Sequence, residues 1–189
     1  MTINIRPTAR TCAALLATLC LATIPQWGAA ADKEKDKDYG NPTIRPVRAI
    51  ITELGDSGVS GYVTFFRAGS LVVVRGAISG LEPGKHGMHV HAGTSCDEPG
   101  THYNPTSTSH GSPDQPEELR HVGDLGNLVA LDDGVALYER VDPILTLRGG
   151  QSIVGHVVIV HSGEDDYITQ PSGNSGTPVA CGVIRRVWD

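Results

Sequence analysis

Histidine is the residue type whose positions in this chain most directly suggest chemistry. All eight histidines follow residue 85. His89 and His91 are two positions apart in a segment that suits a β-strand. Both imidazoles should therefore project from one face, while Met88 and Val90 point to the other. Two imidazoles at this spacing can chelate a metal ion. A polar outer face of a strand gives the same pattern, so the pair alone leaves both interpretations open.

Further side chains of the metal-binding type follow this pair. His102, His110, His121 and Asp124 come next along the chain, and His161 ends a later apolar segment. Imidazole binds zinc, copper, iron and nickel, and several histidines with one carboxylate suit a closed tetrahedral zinc site. The composition of this set therefore predicts a metal site, but it does not choose the metal.

The segments that must position these side chains are short and rich in β-branched residues, and Gly, Asp and Pro separate them. None has the hydrophobic period of a helix. Strands are predicted at 48–54, 61–67, 71–78, 86–91, 127–131, 135–141, 153–161 and 181–187. Eight short strands with few helical signals indicate an antiparallel sandwich or barrel. Two long stretches without strand character, 92–126 and 162–180, hold or adjoin most of the histidines, and such loops are usually functional.

The first 31 residues have the pattern of a cleavable signal peptide. Arg6 and Arg10 precede an apolar run at 13–24, and small residues follow at 28–31. The apolar run is shorter than the roughly 20 residues that span a bilayer, which argues against the alternative of an uncleaved anchor. We therefore expect a secreted or periplasmic protein.

Removal of residues 1–31 would leave a short spacer and one domain. The charged segment 32–42 is predicted to be a disordered spacer, and residues 43–189 form the domain. Cys96 and Cys181 would be the only cysteines left, and two cysteines in an exported protein favour one disulfide. The mature chain would carry 13 Lys and Arg against 21 Asp and Glu, a net charge of −8. That balance argues against nucleic acid or an anionic membrane as a partner.

Five motifs of the mature chain are distinctive in their order as well as in their residues. They are HGMHVHAGTSC (86–96), GTHYNPTSTSHG (100–111), RHVGDLGN (120–127), GHVVIVH (155–161) and GNSGTPVACGVI (173–184). Together they resemble the Cu/Zn superoxide dismutase family, and the resemblance runs from about residue 48 to residue 187. It implies an all-β fold, an eight-stranded antiparallel Greek-key β-barrel (an immunoglobulin-like sandwich) with two long functional loops. It also implies an enzyme, a superoxide dismutase, that converts the superoxide anion to dioxygen and hydrogen peroxide with bound copper and zinc.

The resemblance assigns metal-binding roles to individual residues. The residues that match the family's copper ligands are His89, His91, His102 and His161. The residues that match its zinc ligands are His102, His110, His121 and Asp124. His102 would therefore be shared by both metals, and as the catalytic residue it would supply a proton during the redox cycle of copper.

Other residues match supporting positions of the family. Asp165 matches an acid that links copper and zinc histidines through hydrogen bonds, and such partners fix the orientation of the imidazole rings. Cys96 and Cys181 match the family disulfide. His86 matches a structural histidine, and we interpret His156, within the predicted strand 153–161, as a side chain on the barrel surface.

The chain departs from the family pattern at several positions. Only four residues separate His91 from Cys96, and Arg186 falls where eukaryotic members place an apolar residue of the dimer contact. If the chain forms a homodimer, we therefore expect a different interface. Two extra residues lie between His110 and His121, an insertion that a loop absorbs at small entropic cost. Pro178 stands where the family has an arginine that guides the substrate.

Alternative functions differ in what they require of the same residues. An exported copper-binding or copper-buffering protein with little dismutase activity would use the same cage, and Pro178 together with acidic residues at 164–166 favours it. A zinc hydrolase would need a general base near an open metal position, and no acid outside the metal-linked set suggests one. A structural β-sandwich with surface histidines is hard to reconcile with five ordered motifs. Because every ligand position of the family is filled, a dismutase is the favoured function.

Overall fold

The alternation of residues along each segment explains why this chain forms strands. In a computed structural model, which describes residues 45–187, Val47, Ala49 and Ile51 are buried while Arg48 and Ile50 between them are exposed. A period of two places one set of side chains on the core face of a sheet and the other in solvent. The same alternation recurs at 71–79, whereas the strand at 157–161 is buried at every position.

The described residues form eight strands and one short 3-10 turn at Glu117–Leu119. The strands are β1 (Val47–Glu53), β2 (Ser60–Ala68), β3 (Leu71–Ser79), β4 (Gly84–His91), β5 (Asp124–Ala130), β6 (Ala136–Asp142), β7 (Val157–His161) and β8 (Pro178–Arg186). All pairings between them are antiparallel, which confirms the fold class predicted above. No helix among residues 45–187 is long and apolar enough to cross a membrane.

The strands follow the order β5-β4-β7-β8-β1-β2-β3-β6 and curl into a nearly closed barrel. Consecutive strands β3 and β4 are not neighbours in this order, nor are β6 and β7, so the connections between them cross from one part of the sheet to another. The barrel remains open between β5 and β6. There the hydroxyl of Tyr138 on β6 donates a hydrogen bond of 2.6 Å to the carbonyl oxygen of Leu125 on β5.

The core consists mainly of valine, isoleucine and leucine, as the scarcity of aromatic residues requires. Met88 and Val90 are fully buried in it. Because they alternate with His89 and His91 on β4, the two histidines lie on the opposite face of that strand. Burial of a Val, Leu or Met side chain contributes about 1.5–3 kcal/mol, so the apolar residues of β4 hold the histidines in place.

The prediction of a strand over 153–161 is wrong in its first four residues. Residues 153–156 form a turn, in which Gly155 has a φ of 96°, and β7 begins only at Val157. Ile153 is buried, so its hydrophobicity reflects a contact with the core and not a position in the strand. His156 therefore does not lie in a strand. Its Nδ1 lies 2.8 Å from the carbonyl oxygen of Ala92, and its ring lies 4.4 Å from that of Tyr103.

The predicted signal peptide and spacer lie outside the described residues. Their boundaries, and the start of the domain at residue 43, therefore stay predictions. The predicted disulfide is confirmed. Cys96, in the loop that follows β4, is bonded to Cys181 in β8, and 85 positions separate the two cysteines.

Loss of this disulfide should destabilise the chain measurably. On the chain-entropy model, a bridge across a loop of about 85 residues restricts the unfolded state, so Cys181→Ser should lower the free energy of unfolding by about 2–5 kcal/mol. Cys181 is fully buried and Cys96 is only partly so. Cys96→Ser is therefore the matched variant that removes the bridge without placing a hydroxyl in the core. Urea unfolding of both variants gives the two values, and alkylation followed by mass spectrometry would contradict the prediction if the native protein had two free thiols.

Candidate metal centre

The candidate metal-ligand side chains come from three neighbouring strands, β4, β5 and β7, and from the loop between β4 and β5, with Asp124 the first residue of β5. His89 and His91 lie on β4, and His161 is the last residue of β7, the strand that pairs with β4. The long loop then returns across β4. Tyr103 N–H donates to the carbonyl oxygen of Val90 at 2.8 Å, and His102 forms an isolated β-bridge with His91. These backbone contacts bring His102 next to the histidines of the strands.

Four histidines form the first group, and each can offer one ring nitrogen within 4.8 Å of the others. The group consists of His89, His91, His102 and His161. All four are buried, with exposed fractions of 7% or less. The rings of His89 and His102 are stacked with their centroids 3.9 Å apart. Four imidazoles without a carboxylate are a donor set that suits copper or another late transition metal.

Three histidines and one carboxylate form the second group, also with ligand atoms within 4.8 Å of one another. The group consists of His102, His110, His121 and Asp124. The Nδ1 atoms of the three histidines lie 2.9, 3.1 and 3.2 Å from Oδ1 of Asp124. The other carboxylate oxygen, Oδ2, accepts hydrogen bonds from the backbone N–H groups of His121 and Gly111. The resulting set of three nitrogens and one oxygen suits tetrahedral zinc.

Both groups contain buried ring nitrogens that have no hydrogen-bond partner. The unpartnered atoms are His89 Nδ1, His91 Nε2, His102 Nε2, His110 Nδ1 and His161 Nε2. Burial of a polar atom without a partner is costly, and most buried polar atoms in proteins have one. Five such atoms turned into two adjacent groups are accounted for if they coordinate metal ions. The residues therefore fit a copper ion in the first group and a zinc ion in the second.

Hydrogen bonds at the opposite ring nitrogens fix the orientation of these imidazoles. Nδ1–H of His91 donates to the carbonyl oxygen of Gly100 at 2.8 Å, and Nδ1–H of His161 donates to that of Gly176 at 3.2 Å. Donation at Nδ1 leaves the lone pair at Nε2, which is the unpartnered atom in both rings. Such contacts hold the ring and raise its basicity as a ligand.

Asp165 links the two groups through their outer ring nitrogens. Its Oδ2 lies 2.8 Å from Nε2 of His89, and its Oδ1 lies 2.9 Å from Nε2 of His110. Asn127 fixes the backbone of this residue, since its Oδ1 accepts from Asp165 N–H at 2.8 Å and its Nδ2 donates to Asp165 O at 2.9 Å. No pattern in the sequence predicts this role of Asn127, which stands at the end of the RHVGDLGN motif.

The surroundings of the first group keep three of its histidines neutral. Burial lowers the pKa of His89 to about 3 and the pKa of His91 to about 4. Burial also lowers the pKa of His161. Neutral imidazole is the form that binds metal ions, so these three rings are ready to act as ligands near neutral pH.

Carboxylates reverse this effect in the second group. Burial lowers the pKa of His110, but the neighbouring carboxylates of Asp124 and Asp165 outweigh it and raise the pKa to about 9. Burial raises the pKa of Asp165, yet the hydrogen bonds with His110 and His89 outweigh it and hold the pKa well below its usual range. Burial raises the pKa of Asp124 as well, but the neighbouring histidines outweigh it and hold the pKa well below its usual range. Both acids are therefore ionised, and negative charge lies where a dication would be bound.

Arg120 also supports the second group, in a role that the sequence does not predict. It is fully buried beneath the second group. Its Nη1 donates to the carbonyl oxygens of His121 and Asp124, at 3.3 and 3.1 Å, and its Nη2 donates to Oδ2 of Asp142 at 2.7 Å. An arginine is rarely buried unless it is paired, so no pattern in the sequence distinguishes it from a surface arginine. It holds the backbone that carries two members of the group.

His86 and His156 belong to neither group. The ring nitrogens of His86 lie 2.9 Å from the carbonyl oxygen of His161 and 2.8 Å from that of Glu82. His86 is buried, and these contacts tie β4 to the end of β7 and to the turn before β4. Its position agrees with the structural role expected from the sequence.

A cavity of about 370 Å³ opens over the first group. Its lining includes His91, His102 and His161, and beside them Asn104, Pro171 and Ser172, with no lysine, arginine or acid among the described residues. The acidic residues of the second long loop point elsewhere. Glu164 pairs with Lys85 at 2.6 Å, and Asp166 accepts hydrogen bonds from Ile168 and Thr169 of its own loop. The cavity lining therefore contains histidines and uncharged side chains, without an acid, lysine or arginine.

One comparison with known protein families bears on this arrangement. A family model described as copper/zinc superoxide dismutase matches residues 59–184, two thirds of the chain. The matched segment contains both groups, Asp165 and the disulfide.

Proposed function

The chain belongs to the copper/zinc superoxide dismutase family, and on this basis we propose that it catalyses the dismutation of superoxide to dioxygen and hydrogen peroxide. The observation that carries the proposal is the position of His102 between the two groups. Its Nδ1 lies 2.9 Å from Asp124 Oδ1 in the second group, while its Nε2 is buried without a partner beside the rings of the first. One imidazole can therefore serve two metal ions.

The proposed roles follow from the two donor sets. The copper ligands are His89, His91, His102 and His161, and the zinc ligands are His102, His110, His121 and Asp124. A copper ion held by the first four residues would supply one-electron redox chemistry, whereas zinc has no redox chemistry of its own. Two superoxide anions and two protons yield one dioxygen and one hydrogen peroxide.

The side chains of the chain supply position, orientation and a proton. His102 can hold a proton at Nε2 when that nitrogen is not a ligand, and it transfers this proton to the reduced substrate. Its Nδ1 meanwhile stays beside Asp124 in the second group. Asp165 holds His89 and His110 through their Nε2 atoms, so the orientations of the two groups are coupled. The cavity lined by Asn104 and Ser172 admits a small anion.

We propose that the mature chain is exported and lies in the periplasm or outside the cell. A stable disulfide between Cys96 and Cys181 supports it, because such bonds persist in the periplasm and outside the cell. The partner that we propose is the superoxide anion. We propose no nucleic-acid partner and, after cleavage of the signal peptide, no membrane partner.

A copper-binding protein with little activity is the second candidate. The uncharged lining of the cavity favours it, since enzymes that handle a small anion quickly concentrate positive potential at the site. The decisive experiment is the decay of superoxide, measured by stopped flow, with the copper- and zinc-loaded chain and with the metal-free chain. We expect rapid decay only with the loaded chain. Equal decay in both samples would exclude the dismutase.

Substitution of Pro178 should reveal whether charge limits the rate. Pro178 is paired with His161 across β7 and β8, at a bulge where the register shifts after Val160, so the two residues lie close together in space. An arginine at 178 would therefore project near the copper group. Pro178→Arg should raise the rate about two- to tenfold at low ionic strength and make it fall with added salt. The rate of the wild-type chain should change little with salt.

The matched control for this substitution is Pro178→Gln. It removes the ring and restores the backbone N–H without adding charge, so it should leave the salt dependence flat. Stopped-flow rates between 10 and 300 mM salt compare the three proteins. A wild-type rate that drops steeply with salt would contradict the prediction, since it would require a guiding cation that the cavity lining lacks.

A further inference from the structure

Gln170 makes an unusual contact with a member of the second group. It lies in the loop between β7 and β8, 60 positions from His110. The backbone N–H of His110 donates to Oε1 of Gln170 at 2.8 Å, and Nε2 of Gln170 donates to the carbonyl oxygen of His110 at 2.9 Å. The side-chain amide thus pairs with both backbone groups of one residue, as a neighbouring strand would.

The backbone of His110 has no other such partner among residues 45–187. No backbone–backbone hydrogen bond there involves its N–H or its carbonyl oxygen. The ring is held by the same loop, because Nε2 lies 2.9 Å from Asp165 Oδ1. Gly173 approaches so closely that a Cβ atom at that position would lie 2.6 Å from His110 Nε2. The loop between β7 and β8 therefore grips His110 by its backbone and by its ring.

The next two residues of this loop reach the other group. Pro171 and Ser172 follow Gln170 directly and line the cavity over His91, His102 and His161. A displacement of Gln170 would therefore shift the backbone at His110 and the wall of the cavity together. The side-chain amide of Gln170 therefore connects His110 of the second group to the cavity over the first group.

We propose that Gln170 is a positioning residue that holds His110 in place for zinc and keeps the cavity wall of Pro171 and Ser172 in register with it. The inference rests on the proposed function to the extent that the second group binds zinc. Gln170 touches neither substrate nor metal. Its effect passes through the backbone of His110, and loss of partners that orient a ligand typically costs 10–100-fold in metal affinity.

Gln170→Leu is the variant that tests this role, because leucine fills similar volume and forms neither hydrogen bond. Transfer of zinc from the loaded chain to a chromophoric chelator should become about tenfold faster than in the wild type. The release of copper should stay within about twofold. With cobalt(II) in place of zinc, the visible absorption bands should shift, since they report the geometry around the ligands.

Thr169→Val is the matched control in the same loop. It removes one side-chain hydrogen bond, from Thr169 Oγ1 to Asp166 Oδ2 at 2.6 Å, that does not involve His110. Its zinc release and cobalt spectrum should equal those of the wild type. Urea unfolding of the metal-free chains should give Gln170→Leu and Thr169→Val similar midpoints, because the proposed role concerns the metal-bound state.

Gln170→Glu separates the two halves of the contact. The carboxylate still accepts from His110 N–H, but it places an oxygen instead of a donor against His110 O, so zinc release should again accelerate. Zinc release within twofold of the wild type in both Gln170→Leu and Gln170→Glu would overturn this inference and leave the proposed function intact. Parallel acceleration of zinc and copper release with a lowered unfolding midpoint would overturn it too, as a general loss of stability. A wild-type chain that takes up no zinc would overturn the proposed function as well.

Discussion

His89→Ala should reduce bound copper from one ion per chain to less than about 0.1 while zinc stays near one per chain. His89 belongs only to the first group, and its Nδ1 is one of the buried unpartnered nitrogens there. Removal of a direct ligand should exceed the 10–100-fold loss of affinity that is typical when only a supporting partner is lost. Asp124→Ala should have the opposite selectivity, because Asp124 belongs only to the second group. Superoxide decay should slow at least about 100-fold in His89→Ala.

Metal analysis of the purified chains after saturation and gel filtration measures both stoichiometries. His156→Ala is the matched control, since it removes an imidazole that belongs to neither group. It should retain both metals. Full copper occupancy in His89→Ala, or a single metal per chain in the saturated wild type, would refute the assignment of two sites.

Asp142→Asn should lower the free energy of unfolding by about 3–5 kcal/mol. Arg120 and Asp142 are both fully buried, and their side chains meet at 2.7 Å. Replacement of the acid by an amide leaves the charge of Arg120 buried without its counterion, and breaking such a pair by removing one partner carries a cost of that size. Arg120 also donates to the carbonyl oxygens of His121 and Asp124, so the second group should bind zinc less tightly in this variant.

The same chemical change at the surface provides the control. Glu139 lies on the same strand, β6, and pairs with Arg75 at 2.9 Å, but both side chains are more than half exposed. Glu139→Gln should therefore cost less than about 1 kcal/mol. Urea unfolding of the metal-free chains, with the disulfide intact, gives both values. Equal losses of unfolding free energy in the two variants would show that burial of the Arg120–Asp142 pair does not increase its contribution to stability.

The strands and the principal donors were predictable because local pattern determines them. The alternation of His89 and His91 with Met88 and Val90 requires only the period of a strand, and the structure has both apolar residues in the core. The start of β7 was not predictable in this way. Ile153 continues the apolar run of the strand, yet it is buried from a turn, and hydrophobicity alone does not distinguish the two positions.

The supporting residues were not predictable because their partners are distant in sequence. Gln170 meets His110 across 60 positions, Asn127 meets Asp165 across 38, and Arg120 meets Asp142 across 22. Glutamine in a loop and arginine beside a loop are ordinary surface residues by composition. Likewise the contacts of the acidic residues 164–166, which in the sequence favour a copper-binding protein, were not predictable. The structure instead pairs Glu164 with Lys85, buries Asp165 between two histidines and turns Asp166 into its own loop.

The two groups draw their members from very different lengths of chain, which bears on the order in which they can assemble. The second group extends from His102 to Asp124, 22 positions apart, whereas the first extends from His89 on β4 to His161 on β7 and is about threefold longer. Loop-closure entropy grows with the logarithm of length, so closing the longer span costs about 1 kcal/mol more. A folding chain can therefore gather the second group while β7 is still unpaired. The first group must wait until β7 has joined β4.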